Sequence, residues 1–489
     1  MTTQPSPTHP SATVPEAPSA EAPVLVVDLD GTLCRTDTLH EAALNLMARA
    51  PFQALALARS LLSGKAAFKA RMAEAEVING SDLPLNTDVI AAIKAARAEG
   101  RRTALVTASH QRQAEAVASV TELFDEVHGS TEARNLKGAE KAAFLTERYG
   151  KGGFDYMGDS QADLPVWAAA RRAITVGGTA KLQAAAADAN PDVEHIAPAG
   201  SKARPMLKAM RPHQWSKNVL LFLPLLASHQ LSAFGDVLLG FVAFCLTASA
   251  VYVLNDLVDL SADRAHPRKC RRPFAAGDLS AATGVAMAGG LLLMALILGL
   301  ATGNPLFIGV LAGYLVLTFA YSLWLKRKLL VDVLMLAALY TIRIVAGGAA
   351  AAVVLSPWML GFSMFLFLAL AAVKRQAELT DQMKTGRESA GRAYLVEDLP
   401  ILRGIALSAA HATVLVMALY ISSDAVQQLY GRPELLWLVC PLLLYWLLRM
   451  VMVTHRGYMT DDPIVFAAKD RTSLLTVALS VCVVVVAAL

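Results

Sequence analysis

From about residue 217 to its end the chain carries nine apolar segments, at approximately 218–230, 236–255, 280–300, 304–323, 329–350, 356–373, 402–422, 434–453 and 472–489. Most approach the ~20 residues that an α-helix needs to cross a bilayer. In hydrocarbon every backbone N–H and C=O must find a partner inside the protein, so such segments can only bundle as helices. The first is short and is expected to tilt or to begin as an interfacial helix. The mean hydropathy of +0.45 is carried by this half of the chain, whereas the first 200 residues read as soluble.

The cations alternate between loops. Lys202, Arg204, Lys208, Arg211 and Lys217 precede the first segment, and Arg264, Arg268, Lys269, Arg271 and Arg272 follow the second. Lys326, Arg327 and Lys328 follow the fourth; Lys374, Arg375, Lys384, Arg387 and Arg392 the sixth; His455, Arg456 and Lys469 the eighth. The intervening loops hold almost no Lys or Arg. This pattern predicts a multi-pass protein of a bacterial-type inner (cell) membrane, with the N-terminal domain cytoplasmic and the C-terminus outside. A net charge of only +4 gives no global nucleic-acid footprint. The five cysteines are scattered without metal-ligand spacing, which argues against zinc and disulfides.

Positive loops need no acids for topology, yet the same loops collect Asp256, Asp259 and Asp263, then Glu378 and Asp381, then Asp461 and Asp462. On a continuous helix Asn255, Asp259 and Asp263 share one face. Oxygen-bearing side chains at a membrane edge are costly unless they bind something, and hard oxygen ligands suit Mg²⁺. Interleaved with Lys and Arg, they suggest a Mg²⁺–diphosphate site at the mouth of the bundle.

Residues 1–22, rich in Pro, Ser, Thr and Ala, read as a disordered tail. Val24 to Val27 then reads as a buried parallel strand that delivers Asp28-Leu-Asp30-Gly-Thr to its C-terminal end, where open α/β sheets place ligands. Thr103 to Val106 delivers Thr107, and Phe154 to Met157 delivers Gly158-Asp159-x-x-x-Asp163; Lys137 lies between, at an expected helix start. This ordered set resembles the haloacid dehalogenase (HAD) superfamily over roughly residues 23–200. The resemblance implies an α/β, Rossmannoid parallel sheet and a phosphatase. Asp28 would be the nucleophile, Asp30 the general acid/base, and Thr107 and Lys137 would hold phosphoryl oxygens. Asp28, Asp30, Asp159 and Asp163 would form the Mg²⁺ site. Helical apolar periodicity at 36–85 (Leu39, Ala43, Leu46, Met47; Leu55, Leu57, Leu61, Leu62) reads as a cap over that site or as a greasy segment on the membrane surface. Residues 201–216 form a linker or interfacial segment.

Nine spans with Asn255-Asp256-x-x-Asp259-x-x-x-Asp263 after the second make residues 217–489 resemble the UbiA superfamily of intramembrane prenyltransferases. The pattern departs from that family after the sixth span. There Lys374-Arg375-Gln376-Ala377-Glu378 stands in place of a second Asp-rich motif. With Arg211-Pro-His-Gln-Trp-Ser-Lys217-Asn218, Tyr321-Ser-x-x-Leu-Lys326 and Arg343-Ile-Val-Ala-Gly347-Gly348, it is similar to the decaprenyl-phosphate phosphoribosyltransferase branch. That branch uses phosphoribosyl diphosphate (PRPP) and a polyprenyl phosphate.

The resemblance implies that Asn255 and Asp259 bind Mg²⁺, with Asp256 and Asp263 as supporting or additional ligands. Lys217, Tyr252, Lys269 and Arg271 would contact PRPP. Tyr321, Lys326, Arg343, Lys374 and Glu378 would line the donor pocket or receive the lipid phosphate. For Tyr252 and Tyr321 an interfacial aromatic belt is the competing expectation, and for Arg343 it is snorkelling. Trp215, Trp358 and Tyr458 are expected as belt residues. The alternative function is a conventional transfer of a prenyl group from prenyl diphosphate to an aromatic acceptor, with the HAD-like domain regulatory or acting on another phosphate ester.

Overall fold

A computed structural model describes residues 22–489 except 51–52, 54–55, 58–70, 73–74, 77, 132–133, 197–200, 229, 387–392 and 460–461. The expected tail through residue 21, much of the expected cap, and Arg387, Arg392 and Asp461 lie outside the described residues. The chain divides into two compact units. One comprises the residues up to Arg204 together with Leu257–Ala282; the other comprises Pro205–Asp256 and Thr283–Leu489. The Asp-rich loop after the first long helix, expected as part of the C-terminal domain, thus clusters with the N-terminal unit.

The N-terminal unit is built on six parallel strands, β1 Val24–Val27, β2 Thr103–His110, β3 Glu126–Ser130, β4 Phe154–Gly158, β5 Arg172–Val176 and β6 Val193–Ile196, in the order β3-β2-β1-β4-β5-β6. β1 is apolar at every position because helices cover both faces of a parallel sheet, and all four residues are buried. Strand order reverses between β1 and β4, and ligands of such sheets bind at that switch point. Val27 pairs with both Leu105 and Met157, so Asp28, Thr107 and Asp159 follow the paired residues by one or two positions and reach one edge, with β2 continuing past Thr107 to His110. Of the expected cap, the structure describes the helix Thr38–Arg49, which Asp37 N-caps through Leu39 and His40.

Among the described residues, eight helices of the C-terminal half are long and apolar enough to cross a membrane, from Leu231–Val258 to Arg471–Ala488. They match the second to ninth segments expected. The first segment is instead a 3-10 stretch, Pro212–Phe222, followed by the short α-helix Leu223–Ala227, each with a proline in its first turn. At ~2.0 Å per residue a 3-10 helix covers more length than an α-helix, and this segment runs antiparallel along Phe234–Val258. Arg211 meets Asp256, Trp215 Nε1 donates to Ser249 Oγ at 2.9 Å, Asn218 Nδ2 donates to Cys245 Sγ at 3.2 Å, and Phe222 packs on Phe241 and Phe234. Cys245, Ser249, Tyr252 and Asp256, spaced four, three and four apart, form the helical stripe that receives it. Trp215 is therefore a packing residue rather than part of a belt, while Trp358 and Tyr458 are exposed. Gly347 permits the segment's close approach to Val331–Ala350: a β-carbon there would lie 1.9 Å from the Leu221 carbonyl oxygen.

Candidate active sites of the two units

In the N-terminal unit, Asp28 is almost fully buried, and its Oδ1 accepts from Leu29 N at 2.8 Å. The same oxygen lies 3.0 Å from Lys141 Nζ, which is itself 2% exposed. Lys141 donates to Tyr156 Oη at 2.7 Å, and Tyr156 donates to Asp163 Oδ1 at 2.8 Å. The other Asp163 oxygen accepts from Ser160 N at 3.1 Å and Ser160 Oγ at 2.9 Å. Gly31, at φ +76°, faces the carboxylate of Asp159, and a β-carbon there would lie 2.0 Å from Oδ2; this close approach is why glycine follows Asp30.

Lys137 does not join this site. It is exposed, whereas Lys141, one turn into the helix Ala139–Tyr149, lies on the buried face with Leu145. The signal was present in the sequence, since Lys141 and Leu145 are i and i+4 on the core-facing stripe. Asp30 also departs from expectation. Its Oδ1 accepts from Thr38 N at 2.7 Å and its Oδ2 from Ser109 Oγ, so its side chain faces the helix Thr38–Arg49 and not the carboxylate cluster. Ser109 also bonds Thr38 Oγ1 at 2.8 Å and donates its N–H to Thr107 Oγ1 at 3.0 Å, linking the ends of β1 and β2. No motif in the sequence pointed to Ser109, Thr38 or Tyr156.

Asp28, Asp159 and Asp163 can place one carboxylate oxygen each within 4.8 Å of one another. Burial pushes Asp159 up to about 8, helped by the charges of Asp28 and Asp163. Burial likewise raises Asp28 to about 6 although Lys141 opposes it. Two buried carboxylates and the half-buried Asp159 against one ammonium leave a deficit of positive charge, and all three donors are hard oxygens. This set fits Mg²⁺.

In the C-terminal unit the expected residues fall into two constellations. Lys217 and Lys374 both donate to Asp462 Oδ2, each at 3.0 Å. Lys217 Nζ is 5.7 Å from the centre of the Tyr340 ring, and the Arg343 guanidinium is 5.5 Å from the same ring. Arg343 is buried rather than snorkelling. Its Nε donates to Asn218 Oδ1 at 2.9 Å, and it also contacts Leu339 O and the Tyr314 hydroxyl.

The second constellation joins Tyr321 and Glu378 through two residues outside the expected set. Asp332, fully buried, accepts from Nε and Nη2 along one edge of the Arg375 guanidinium and from Tyr321 Oη at 2.8 Å. Arg375 also donates to Tyr321 at 3.1 Å and to Glu378 Oε2 at 2.5 Å. Asp332 hid in the sequence as a lone acid near the start of an apolar run. Lys326 is half-buried in the turn Leu325–Arg327, and Tyr252 lies 5.1 Å beneath the Arg211 guanidinium.

The Asp-rich stretch is not one continuous helix. The helix Phe234–Val258 ends before Asp259, which occupies the N-cap position of the short helix Leu260–Ala265, so the expected single face is interrupted. Asp256 and Asp263 are buried and engaged as ion-pair partners, not as open ligands: Asp256 with Arg211, and Asp263 with Arg272 at 2.5 Å. Lys269 Nζ stands 3.9 Å from Asp263, and Arg271 is exposed. Asn255 and Asp259 remain half-buried oxygen donors. Among the described residues, Asp28, Asp159 and Asp163 are the only group of three carboxylates, His or Cys close enough to share an ion.

The UbiA prenyltransferase family matches residues 219–487, and the haloacid dehalogenase-like hydrolase family matches residues 25–167. An uncharacterized protein of Sinorhizobium fredii, y4nM, is 38% identical over 465 residues, covering 92% of this chain and 88% of that one. Decaprenyl-phosphate phosphoribosyltransferase of Corynebacterium glutamicum is 37% identical over 222 residues, covering 44% of this chain and 66% of that protein. Among solved structures, a UbiA homolog from Archaeoglobus fulgidus bound to GPP and Mg²⁺ aligns with 57% of this chain and 99% of its own, at a TM-score of 0.44 and 16% identity.

Proposed function

Because the chain belongs to the UbiA prenyltransferase family and carries a haloacid dehalogenase-like hydrolase domain ahead of its helices, we propose that it makes and then trims a lipid-linked sugar phosphate. The helical unit transfers phosphoribose from PRPP to a polyprenyl, decaprenyl-type phosphate, and the N-terminal domain removes the 5-phosphate of the product. The observation that carries this reading is the cation excess around Tyr340: Lys217 and Lys374 share the carboxylate of Asp462, and Arg343 stands over the same ring as Lys217 with no hydrogen-bonded carboxylate among the described residues. Two anionic reactants require such an excess, and the relatives named decaprenyl-phosphate phosphoribosyltransferase support the same substrates.

In the transfer, a phosphate oxygen of the lipid attacks the anomeric carbon of PRPP. The bond from that carbon to the diphosphate breaks, and pyrophosphate leaves with the electron pair. Lys217, Lys374 and Arg343 lower the repulsion between the anions. Tyr252, Lys269 and Arg271 contact PRPP, and Tyr321, Lys326 and Glu378 line the pocket, with Glu378 oriented by Arg375. Asn255 and Asp259 would hold Mg²⁺, which supplies positive charge to the leaving diphosphate. Asp256 and Asp263 act indirectly, by fixing Arg211 and Arg272.

In the hydrolysis, Asp28 attacks phosphorus, and Asp30 gives a proton to the departing ribose oxygen. A water deprotonated by Asp30 then cleaves the aspartyl phosphate. Lys141, in the role expected of Lys137, and Thr107 hold the phosphoryl oxygens. Asp28 and Asp159 would hold Mg²⁺, which offsets the charge of phosphate and carboxylates, while Asp163 fixes Lys141 through Tyr156. The positive-inside pattern supports a multi-pass protein with this domain in the cytoplasm and the C-terminus outside.

Full-length protein in membranes, supplied with PRPP and polyprenyl phosphate, is expected to release pyrophosphate and then inorganic phosphate. Asn255→Ala should abolish both releases, and Asp28→Asn only the second. Pyrophosphate release that survives Asn255→Ala, or prenyl transfer to a hydroxybenzoate in its place, would overturn the reading.

A further inference from the structure

Asp462 was expected only as one of several loop acids, yet it holds the most exacting position in the cation cluster. Its Oδ2 receives two ammonium groups from different elements, Lys217 of Pro212–Phe222 and Lys374 of Pro357–Thr385. Its Oδ1 accepts from Ile464 N at 3.1 Å and so caps the helix Pro463–Lys469. The Asp462 and Lys217 side chains are 13% and 12% exposed, and Lys374 is 29% exposed. Nearby Arg343 has only neutral hydrogen-bond partners, Asn218, Leu339 O and Tyr314. Buried charge of one sign is costly without a counter-charge. Among the described residues one carboxylate is shared by the two lysines and none is hydrogen-bonded to Arg343, which leaves room for another anion.

One oxygen held by two ammonium groups at 3.0 Å is also the geometry in which lysines grip a phosphate oxygen. Burial alone would raise the Asp462 carboxyl, but Lys374 and Lys217 together pull it well below the usual carboxylate range, so it is a firm anion. We propose that Asp462 is an internal counter-anion that occupies the place of a substrate phosphate oxygen and yields Lys217 and Lys374 when that phosphate binds. The short helix it caps would shift with it. This rests on the reading of Lys217 and Lys374 as phosphate-binding residues. The phosphate could belong to PRPP or to the lipid, and the two Michaelis constants distinguish them.

The test uses the full-length protein in detergent micelles, with inorganic pyrophosphate as the probe. Asp462→Asn removes the charge but keeps an oxygen for Ile464 N, so the helix cap survives; Asp462→Ser, another capping residue, serves if the Asn variant does not fold. Loss of the competing anion should tighten pyrophosphate inhibition roughly tenfold and lower the KM of whichever phosphate substrate binds there, leaving the other KM within about twofold. Unchanged or weakened inhibition, with both KM values unchanged or raised, would overturn the counter-anion role. Lys217→Ala separates the two layers. If pyrophosphate inhibition persists in that variant, the phosphate-site reading itself fails; if it is lost while Asp462→Asn changes nothing, only the counter-anion fails.

Discussion

In the N-terminal unit three carboxylates, Asp28, Asp159 and Asp163, crowd around one ammonium, Lys141; in the C-terminal unit two ammonium groups, Lys217 and Lys374, share one carboxylate, Asp462, and a third cation, Arg343, stands over the neighbouring Tyr340 ring. The first site is short of positive charge, and burial raises Asp28 and Asp159 towards neutral pH as a result. The second is short of negative charge and places one of its own acids where an anion would sit. The proposed ligands follow the missing sign: a metal ion in one unit, a phosphate in the other. Between these extremes lies the Asp332–Arg375 pair, in which opposite charges meet directly while Arg375 also reaches Tyr321 and Glu378. A site is thus marked less by how many charges it holds than by which sign is missing.

The sharpest way to break this comparison is to open the Asp332–Arg375 pair. Arg375→Ala leaves Asp332 buried without its guanidinium and should cost about 3–5 kcal/mol of stability, measured by thermal unfolding in detergent. Asp332→Asn combined with Arg375→Met should recover much of that loss. Recovery would show that the pair balances itself, and no recovery would give it the same outward-looking character as the cation cluster. Next in size is the lone ammonium of the acidic site. Lys141→Met should lower phosphate release about 10²–10³-fold, the usual effect of losing one such donor, while Lys137→Met changes it less than about threefold. Equal losses from both would return Lys137 to the site.

The smallest expected effect concerns an acid of the N-terminal unit that lacks no partner. Burial would raise Glu126, but Arg148, Tyr149 and His128 outweigh it and hold its carboxyl at about 2, below the usual 4.5. Its stabilisation is therefore fully present above about pH 4.5 and is lost as the pH falls towards about 2. Protection factors of the β3 amides, referred to the intrinsic exchange rate at each pH, should fall across that window, and Glu126→Gln should flatten the change. A wild-type profile with no slope there would remove Glu126 from the balance.

The sheet was legible because buried parallel strands leave an unmistakable apolar run, and because Asp28, Thr107 and Asp159 end such runs. Lys141 was less so: two lysines four residues apart look alike until the helix decides which one faces the core. The eight long helices were plain from composition. The segment 218–230 was not, since length and apolarity do not distinguish an α-helix from a 3-10 stretch fixed by Pro212 and Pro224. The Asp-rich face failed for a related reason. Periodicity assumes an unbroken helix, and a single N-cap position, at Asp259, breaks it. Asp332 and Asp462 each needed a partner from a distant element before their roles could be seen.

The ladder that runs from Arg211–Asp256 through Trp215–Ser249 to Asn218–Cys245 also constrains the order in which the protein can be built. Asn218 and the indole of Trp215 have their hydrogen bonds on a helix that has not yet emerged when they leave the ribosome. Lipid offers them no substitute. The first apolar segment therefore cannot partition into the bilayer by itself; it enters with Phe234–Val258 as a single hairpin. A nascent chain halted before residue 245 should leave the segment accessible to water-soluble reagents, and one halted well past residue 256 should protect it.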